Sequence, residues 1–341
     1  MPITRSYSNA FEVVDYTQEL VVIPNSWTLL GDAGIFTEVP VSNHTVTFEE
    51  VNKTLGLVGD VVRGGKPNTK TDSVRKIRSY AIPHFPMVDE VLPQDVQGKR
   101  AFGSSTASET EAAVVLRKME EIRKYYDVTK EVARFATLTT GDLYAPNGTI
   151  AGNLFTDFGV TQTEVNFALT TTTTDIIAKC EEVIASMQDN AKTGDVITGV
   201  NAYCGAAFFA SLISHANVKE AYKYYSATAG QEIMRNRAGG TNGLYREFFF
   251  GGIRFIEVRT VLAGQTLVPT NTAVFLPTGT NDTFVTYQSP ANRFDYLNTL
   301  GESAYMWTFR DPKGTKIDIE AEANFLNICK RPALIAKGTR S

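Results

Sequence analysis

His44-Thr-Val-Thr-Phe-Glu-Glu-Val51 runs toward a tip, Gly64-Gly-Lys-Pro-Asn-Thr-Lys-Thr-Asp72, and Val74-Arg-Lys-Ile-Arg-Ser-Tyr-Ala-Ile82 returns from it. Gly, Pro and Asn at the tip are turn residues, and the flanking stretches are polar. The pattern predicts a long β-hairpin with almost nothing to bury. A two-stranded ribbon is at best marginally stable in water, so this one needs another surface to lie on. Another copy of the same chain is the natural surface, and that points to assembly rather than catalysis.

Composition leaves room for this reading. The chain has 341 residues, 43% hydrophobic and 21% charged, which is ordinary globular composition with length enough for two folded units. A chain of this size buries roughly three quarters of its unfolded surface and needs no disulfide staples. Cys180, Cys204 and Cys329 are odd in number, far apart and in apolar surroundings. They read as buried structural thiols in a reducing compartment. Met1 to Ser8 lack the apolar stretch of a signal peptide, and no run approaches the roughly 18 apolar residues of a membrane span.

The net charge of −4 sets up no global field for nucleic acid, but the charge is unevenly placed. Residues 1–59 carry Glu12, Asp15, Glu19, Asp32, Glu38, Glu49 and Glu50 against Arg5 and Lys53. Residues 60–80 reverse the sign, with Arg63, Lys66, Lys70, Arg75, Lys76 and Arg78 against Asp60 and Asp72. That stretch holds Tyr80 as its single aromatic residue, whereas a nucleic-acid groove wants several stacking platforms. The open alternatives are a solvated hairpin and the pairing of opposite patches between subunits, which sets register more than affinity.

Around the ribbon the elements fall in order. The first 40 residues, punctuated by Pro24, Gly31, Gly34 and Pro40, read as an extended arm with at most one short helix near Asn9 to Leu20. A proline-rich return, Ile82 to Gly103, leads to a long helix. Ser108 is its expected N-cap, with Glu111 closing a capping box, and it runs to about Thr137, stopped near Gly141. Val115, Met119, Ile122, Tyr126, Ala133 and Ala136 make one apolar stripe, and charges are expected to cover the other faces. Thr129 breaks the stripe, which argues against a coiled coil. Asp142 to Ala151 reads as a small hairpin turning at Asn147-Gly148.

From about residue 172 the pattern changes to α/β alternation. A helix from Ile176 to Asn190, capped by Asp175, should bury Ile177, Cys180, Val183, Ile184 and Met187. A strand from Asp195 to Cys204 and a helix from Ala206 to Tyr225 follow. Leu244 to Thr260 reads as strand, turn and strand around Gly251-Gly252. Near the end, Ile317, Ile319, Ala321, Ala323 and Phe325 alternate with Lys316, Asp318, Glu320, Glu322 and Asn324. Period two over this length predicts a strand with one buried face, set against the long helix.

Chemistry is hard to find. His44, His84 and His215 lack partners at metal-ligand spacing, and no HExxH, GxSxG, P-loop or GxGxxG occurs. His84 near Asp89 and Glu90 reads as a hydrogen-bonded structural histidine. No catalytic, metal or cofactor residues are assigned, and no enzyme is expected.

The sequence also carries a resemblance. The stretches Ile82-Pro-His-Phe-Pro86 with Asp95-Val-Gln-Gly-Lys-Arg-Ala-Phe-Gly103, Gly252-Ile-Arg-Phe255 with Val274-Phe-Leu-Pro-Thr-Gly279, then Ala291, Asn298 and Asn327-Ile-Cys-Lys-Arg-Pro332, taken in this order, resemble the major capsid proteins of tailed bacteriophages in the branch of the lambda head protein E. The resemblance implies an α+β Hong Kong 97-type phage capsid fold: an N-terminal arm (1–40), an extended β-hairpin loop (41–85), a peripheral domain with the spine helix 108–137 (86–171 and 284–341) and an axial α/β domain (172–283). It implies self-assembly into hexamers and pentamers of an icosahedral shell around double-stranded DNA, in the host bacterial cytoplasm. A scaffolding protein and a portal are implied partners, with a maturation protease or a decoration protein in some relatives, and no membrane. On this reading Arg63, Gly64, Gly65, Lys66, Pro67, Asn68, Lys70, Arg75, Lys76 and Arg78 contact a neighbour. Glu49, Glu50, Glu109 and Glu111 are the candidate acidic partners. An encapsulin-type shell that houses an enzyme and a soluble α/β enzyme remain as alternatives.

Overall fold

The computed structural model describes residues 14–15, 28–52, 74–99, 110–144, 150–191, 197–223, 237–238, 245–258, 261–262, 264–280 and 282–341. The ribbon's tip lies outside them. Along the chain, β1 (Val14–Asp15), the single turn α1 (Leu29–Asp32) and β2 (Thr37–Pro40) precede the ribbon, β3 (Thr45–Asn52) and β4 (Val74–Ala81). Then come β5 (His84–Val91), α2 (Pro93–Val96) and the spine helix α3 (Glu111–Thr139), followed by β6 (Asp142–Tyr144), β7 (Ile150–Asn153), α4 (Leu154–Phe158) and β8 (Thr163–Asn166). The next elements are α5 (Ile176–Asn190), β9 (Gly199–Gly205), α6 (Ala206–Ser214), α7 (Ala216–Lys223), β10 (Arg237–Ala238), β11 (Tyr245–Phe250) and β12 (Ile253–Val258). The chain closes with β13 (Val261–Leu262), β14 (Gln265–Thr266), β15 (Thr272–Thr278), β16 (Phe284–Gln288), β17 (Tyr305–Arg310), β18 (Ile317–Cys329) and β19 (Ala336–Thr339).

Two sheets organise these elements. In the first, β18 pairs antiparallel with β5 and β17 along its first part and with β16 along its second. β1 extends it beside β17, and β2 joins β16 in parallel. The arm is therefore tied into a sheet at β2. The helix expected near Asn9 to Leu20 falls mostly outside the described residues, and Val14 and Asp15 within that span are strand. The second sheet runs β10-β11-β12-β9-β15-β19-β8, with parallel pairs at β12–β9 and β19–β8. Because β8 and β19 pair here, boundaries at 171/172 and 283/284 cut through this sheet.

The spine helix spans 29 residues, about 43 Å at 1.5 Å per residue. Its cap is Thr110, whose Oγ1 accepts the Ala113 N–H at 3.3 Å, rather than Ser108, which lies outside the described residues. At the other end Gly141 adopts φ 76°, the left-handed conformation that ends helices cheaply with glycine. The stripe Val115, Met119, Ile122, Tyr126 and Ala133 packs on Ile319, Ala321, Ala323 and Phe325 of β18 and on Phe85 of β5. Phe85 and Phe325 stack with ring centroids 4.5 Å apart.

Three expectations need correction. The strand β18 buries both faces from Ala321 onward, including Glu322 and Asn324, because the loop after β16 folds over its second side. In α5, capped by Asp175 as expected, Ile176 is buried and Ile177 is exposed, a one-residue rotation of the apolar face. The helix expected over 206–225 is broken at His215, whose backbone is extended. The His215 ring Nδ1 accepts the Asn217 N–H at 3.3 Å and caps the second helix, while Nε2 donates to the Thr171 carbonyl at 2.9 Å. The β11–β12 hairpin matches its expectation, with Gly251 and Gly252 at φ 55° and 77° in the turn.

Candidate intersubunit surfaces

The ribbon pairs in the register Thr45↔Ala81 to Asn52↔Val74. Side chains alternate across it. One face, with Phe48, Arg78 and Tyr80, turns to the chain's own α4. Phe48 stacks on Tyr80 and Phe158 at 5.8 and 6.1 Å, and Val46 is buried beside them. Tyr80 donates to Asp157 Oδ2 at 3.0 Å; burial, then this bond, pushes the phenol up to about 12. Arg78 donates to the Asp157 carbonyl and lies 4.3 Å from the Phe158 ring centre. The root of the ribbon thus has a real anchor, which its polar sequence concealed. The other face shows Arg75 and Ile77, the latter 69% exposed.

The expected contact residues separate accordingly. Arg63, Gly64, Gly65, Lys66, Pro67, Asn68, Lys70 and Glu109 lie outside the described residues. Arg78 is engaged with its own chain as part of the anchor. Glu49 lies 3.8 Å from Arg75 across the same ribbon, both well exposed, and Glu50 stands opposite Lys76 in register. Glu111 at the start of the spine pairs with Arg310 of its own chain.

A second charged cluster escaped the sequence reading. Lys130, Glu131 and Arg134, expected on solvated helix faces, are buried where the arm crosses the spine. Glu38 of β2 accepts from Arg134 at 3.2 Å, from Gln288 at 2.8 Å and from Lys130 at 3.5 Å. Burial alone would raise the Glu38 carboxyl, but Lys130 and Arg134 outweigh it and hold the group below its ordinary range. Burial dominates at Lys130 itself and lowers it despite Glu38. Glu131 accepts the Leu30 N–H at 2.7 Å at the start of α1, and burial raises its carboxyl. For Lys130 the sequence held a clue in its position, four residues after Tyr126, where the apolar stripe would continue.

The loop between β16 and β17 also went unread. Arg293 lies 3.9 Å from the Trp307 ring centre and pairs with Glu320, Asn292 N donates to Glu322 at 2.8 Å, and Tyr296 packs edge-on against Tyr305 at 4.9 Å. The same loop leaves Phe294, Leu297 and Leu300 exposed at 91%, 64% and 63%.

Among the described residues no set of three His, Cys, Asp or Glu side chains could hold a metal ion. His84 bonds Asn324 at 2.8 Å beside Glu322. All three thiols are buried, and burial pushes Cys180 and Cys329 up to about 12. Among the described residues no helix is long and apolar enough to cross a membrane.

Comparison with known proteins gives these surfaces their context. The family model described as phage major capsid protein E matches residues 12–340. The major capsid protein of Pseudomonas phage KPP10 is 42% identical over 344 residues, covering 98% of both chains. That of Salmonella phage Felix O1 is 27% identical, covering 98% of this chain and 97% of its own. Among solved structures, the capsid of Myoviridae phage XM1 superposes with a TM-score of 0.53 at 10% identity over 93% of each chain. The mature capsid of bacteriophage PhiM1 gives 0.51 at 11% identity over 89% of this chain and 84% of that one. The fold is thus the α+β Hong Kong 97-type capsid fold, and the encapsulin and soluble-enzyme alternatives are not favoured. With the model spanning almost the whole sequence and a 42% identical relative matched end to end, the chain belongs to the phage major capsid protein E family, a structural subunit of the tailed-bacteriophage capsid shell.

Proposed function

We propose that subunits of this shell join through the ribbon, which extends from its α4 anchor over the neighbouring subunit of a hexamer or pentamer. The observation that carries this is the ribbon's asymmetry: one face packs at its root, while the other presents Arg75 and Ile77 to solvent. The tip residues Arg63 to Lys70, with Arg75 and Lys76, supply the cationic side of the contact. Glu49, Glu50, Glu109 and Glu111 remain candidate acids, the last shared with Arg310. Each such rim pair contributes about 0–1 kcal/mol, and many repeats around a closed shell accumulate.

On this reading residues 1–40 are the arm and 41–85 the extended loop. A peripheral domain is built on the spine helix and the β18 sheet. The axial domain is centred on 172–283 and takes in β8 and β19, since they pair in its sheet. The shell is icosahedral and encloses double-stranded DNA without sequence-specific contacts, consistent with the acidic net charge. It assembles in the host cytoplasm with a scaffolding protein and a portal, and a maturation protease or decoration protein joins where the phage encodes one. No catalytic role is assigned to the chain.

Deleting residues 64–71 tests the ribbon. The expected result is a folded, soluble subunit that forms no closed shells under the electron microscope; normal particles overturn the reading.

A further inference from the structure

Three polar atoms meet where the arm and the second sheet close on the spine. Among the described residues, Glu131 Oε2, Arg134 Nε and the Tyr203 hydroxyl are buried without a hydrogen-bond partner. Their residues are 1%, 5% and 1% exposed, so bulk water does not reach them. An unmade bond at a buried polar atom is costly, and three of them together call for one explanation. Glu131 and Arg134 stand one turn apart on the spine, where side chains are neighbours. Burial raises the Glu131 carboxyl, and the α1 amides and Arg134 oppose the rise. Tyr203 of β9 sets its ring edge-on against Phe135, one turn beyond Glu131, with centroids 6.1 Å apart. Its phenol is raised by burial first and by the Glu131 charge second. From the arm side α1 closes the spot. The Leu30 amide lies on Glu131 Oε1, and a Cβ on Gly31 would come within 3.4 Å of Arg134 Nη1.

We propose that these three atoms form a binding site for a single buried water molecule, which joins the second sheet to the spine and, through Glu131, to the arm. The donor and acceptor types are complementary. A carboxylate oxygen only accepts, the guanidinium Nε–H only donates, and a phenol does both. One water accepts from Arg134, donates to Glu131 and exchanges a third bond with Tyr203, and about three bonds is the usual number for a buried water. An ion is a poorer occupant, because Arg134 repels a cation and Glu131 repels an anion. The contact of Phe135 with Tyr203 is apolar and sets no unique orientation. The water bonds are directional, so they fix how β9 sits on the spine.

Tyr203→Phe in the full chain separates the two cases by sign. A buried hydroxyl with no partner only destabilises, so its loss would leave the free subunit as stable as the parent or more so. A hydroxyl bonded to a held water stabilises, and the variant should show an unfolding equilibrium constant about fivefold larger in denaturant titration. Unchanged or increased stability overturns the site. Electron microscopy of the shell, at a resolution that shows ordered water, gives the second reading. A density peak at about 2.7–3.2 Å from all three atoms is expected. A direct bond between Tyr203 and Glu131, or no peak, overturns the site. So does a peak that touches Glu131 and Tyr203 but stands away from Arg134, which indicates a cation. Neither measurement depends on the ribbon.

Discussion

The ribbon and the arm crossing both join neighbouring elements by charged side chains, and they use the charges in opposite ways. On the ribbon, Arg75 and Glu49 sit 3.8 Å apart with more than half of each side chain in water. At the crossing, Lys130 and Arg134 keep 8% and 6% of theirs exposed and converge on Glu38. An exposed pair contributes little to one subunit and stays free to exchange partners. A buried set does not exchange, because removing one member strands the others without water. On the proposed reading of the ribbon, the difference separates a device for joining subunits from one that holds a single subunit together.

The largest effect is expected at Glu131. Replacing it with Ala leaves the Leu30 N–H, and the Leu29 and Gly31 amides directed at the same carboxylate, without an acceptor. The expected loss is about 3 kcal/mol in denaturant unfolding of the free subunit. Glu38→Ala strands Lys130 and Arg134, but Glu38 is itself nearly half exposed and water enters there. A loss of about 2 kcal/mol is expected, below the usual range for a fully buried pair. The crossing also carries a pH signature. The folded Glu38 holds its proton less tightly than an unfolded one, so its contribution is fully present above its ordinary value of 4.5 and is lost as pH falls through the lower folded value. Unfolding free energies measured from pH 6 downward (about pH 6 to 3) should therefore fall less steeply in Glu38→Gln than in the parent.

The ribbon effects are smaller. Arg78→Ala removes the contacts to Phe158 and the Asp157 carbonyl and should cost about 1 kcal/mol, with faster amide exchange confined to β3 and β4. Arg75→Ala should change subunit stability by less than about 0.5 kcal/mol while altering the salt dependence of assembly followed by light scattering. An equal stability loss at Arg75 and Glu38 would erase the contrast between the two regions.

Much of this architecture is legible in the sequence where periodicity is strong and one neighbour decides burial. The spine stripe, the Asp175 cap, the β11–β12 turn and the helix-facing side of 317–325 are all of that kind. What stayed hidden depends on a second neighbour. Lys130, Glu131 and Arg134 look solvated until the arm supplies Glu38 and the α1 amides. Glu322 and Asn324 look exposed until the Pro290 loop covers them. The ribbon's sequence shows no core because Phe158, which completes it, lies 80 residues beyond Arg78. The loop between β16 and β17 has no periodicity at all, so Phe294, Leu297 and Leu300 carry no local signal of their exposure.

The strand β18 has a mechanical consequence. Its 13 residues extend about 43 Å, nearly the length of the spine helix it supports. Antiparallel hydrogen bonds lie across the strand direction, and β5 and β17 grip its first half while β16 grips the second. A pull along β18 therefore loads many bonds in shear at the same moment, whereas a pull across the ribbon opens its rungs one after another. Under tension the subunit should yield at the ribbon first and keep its central strand.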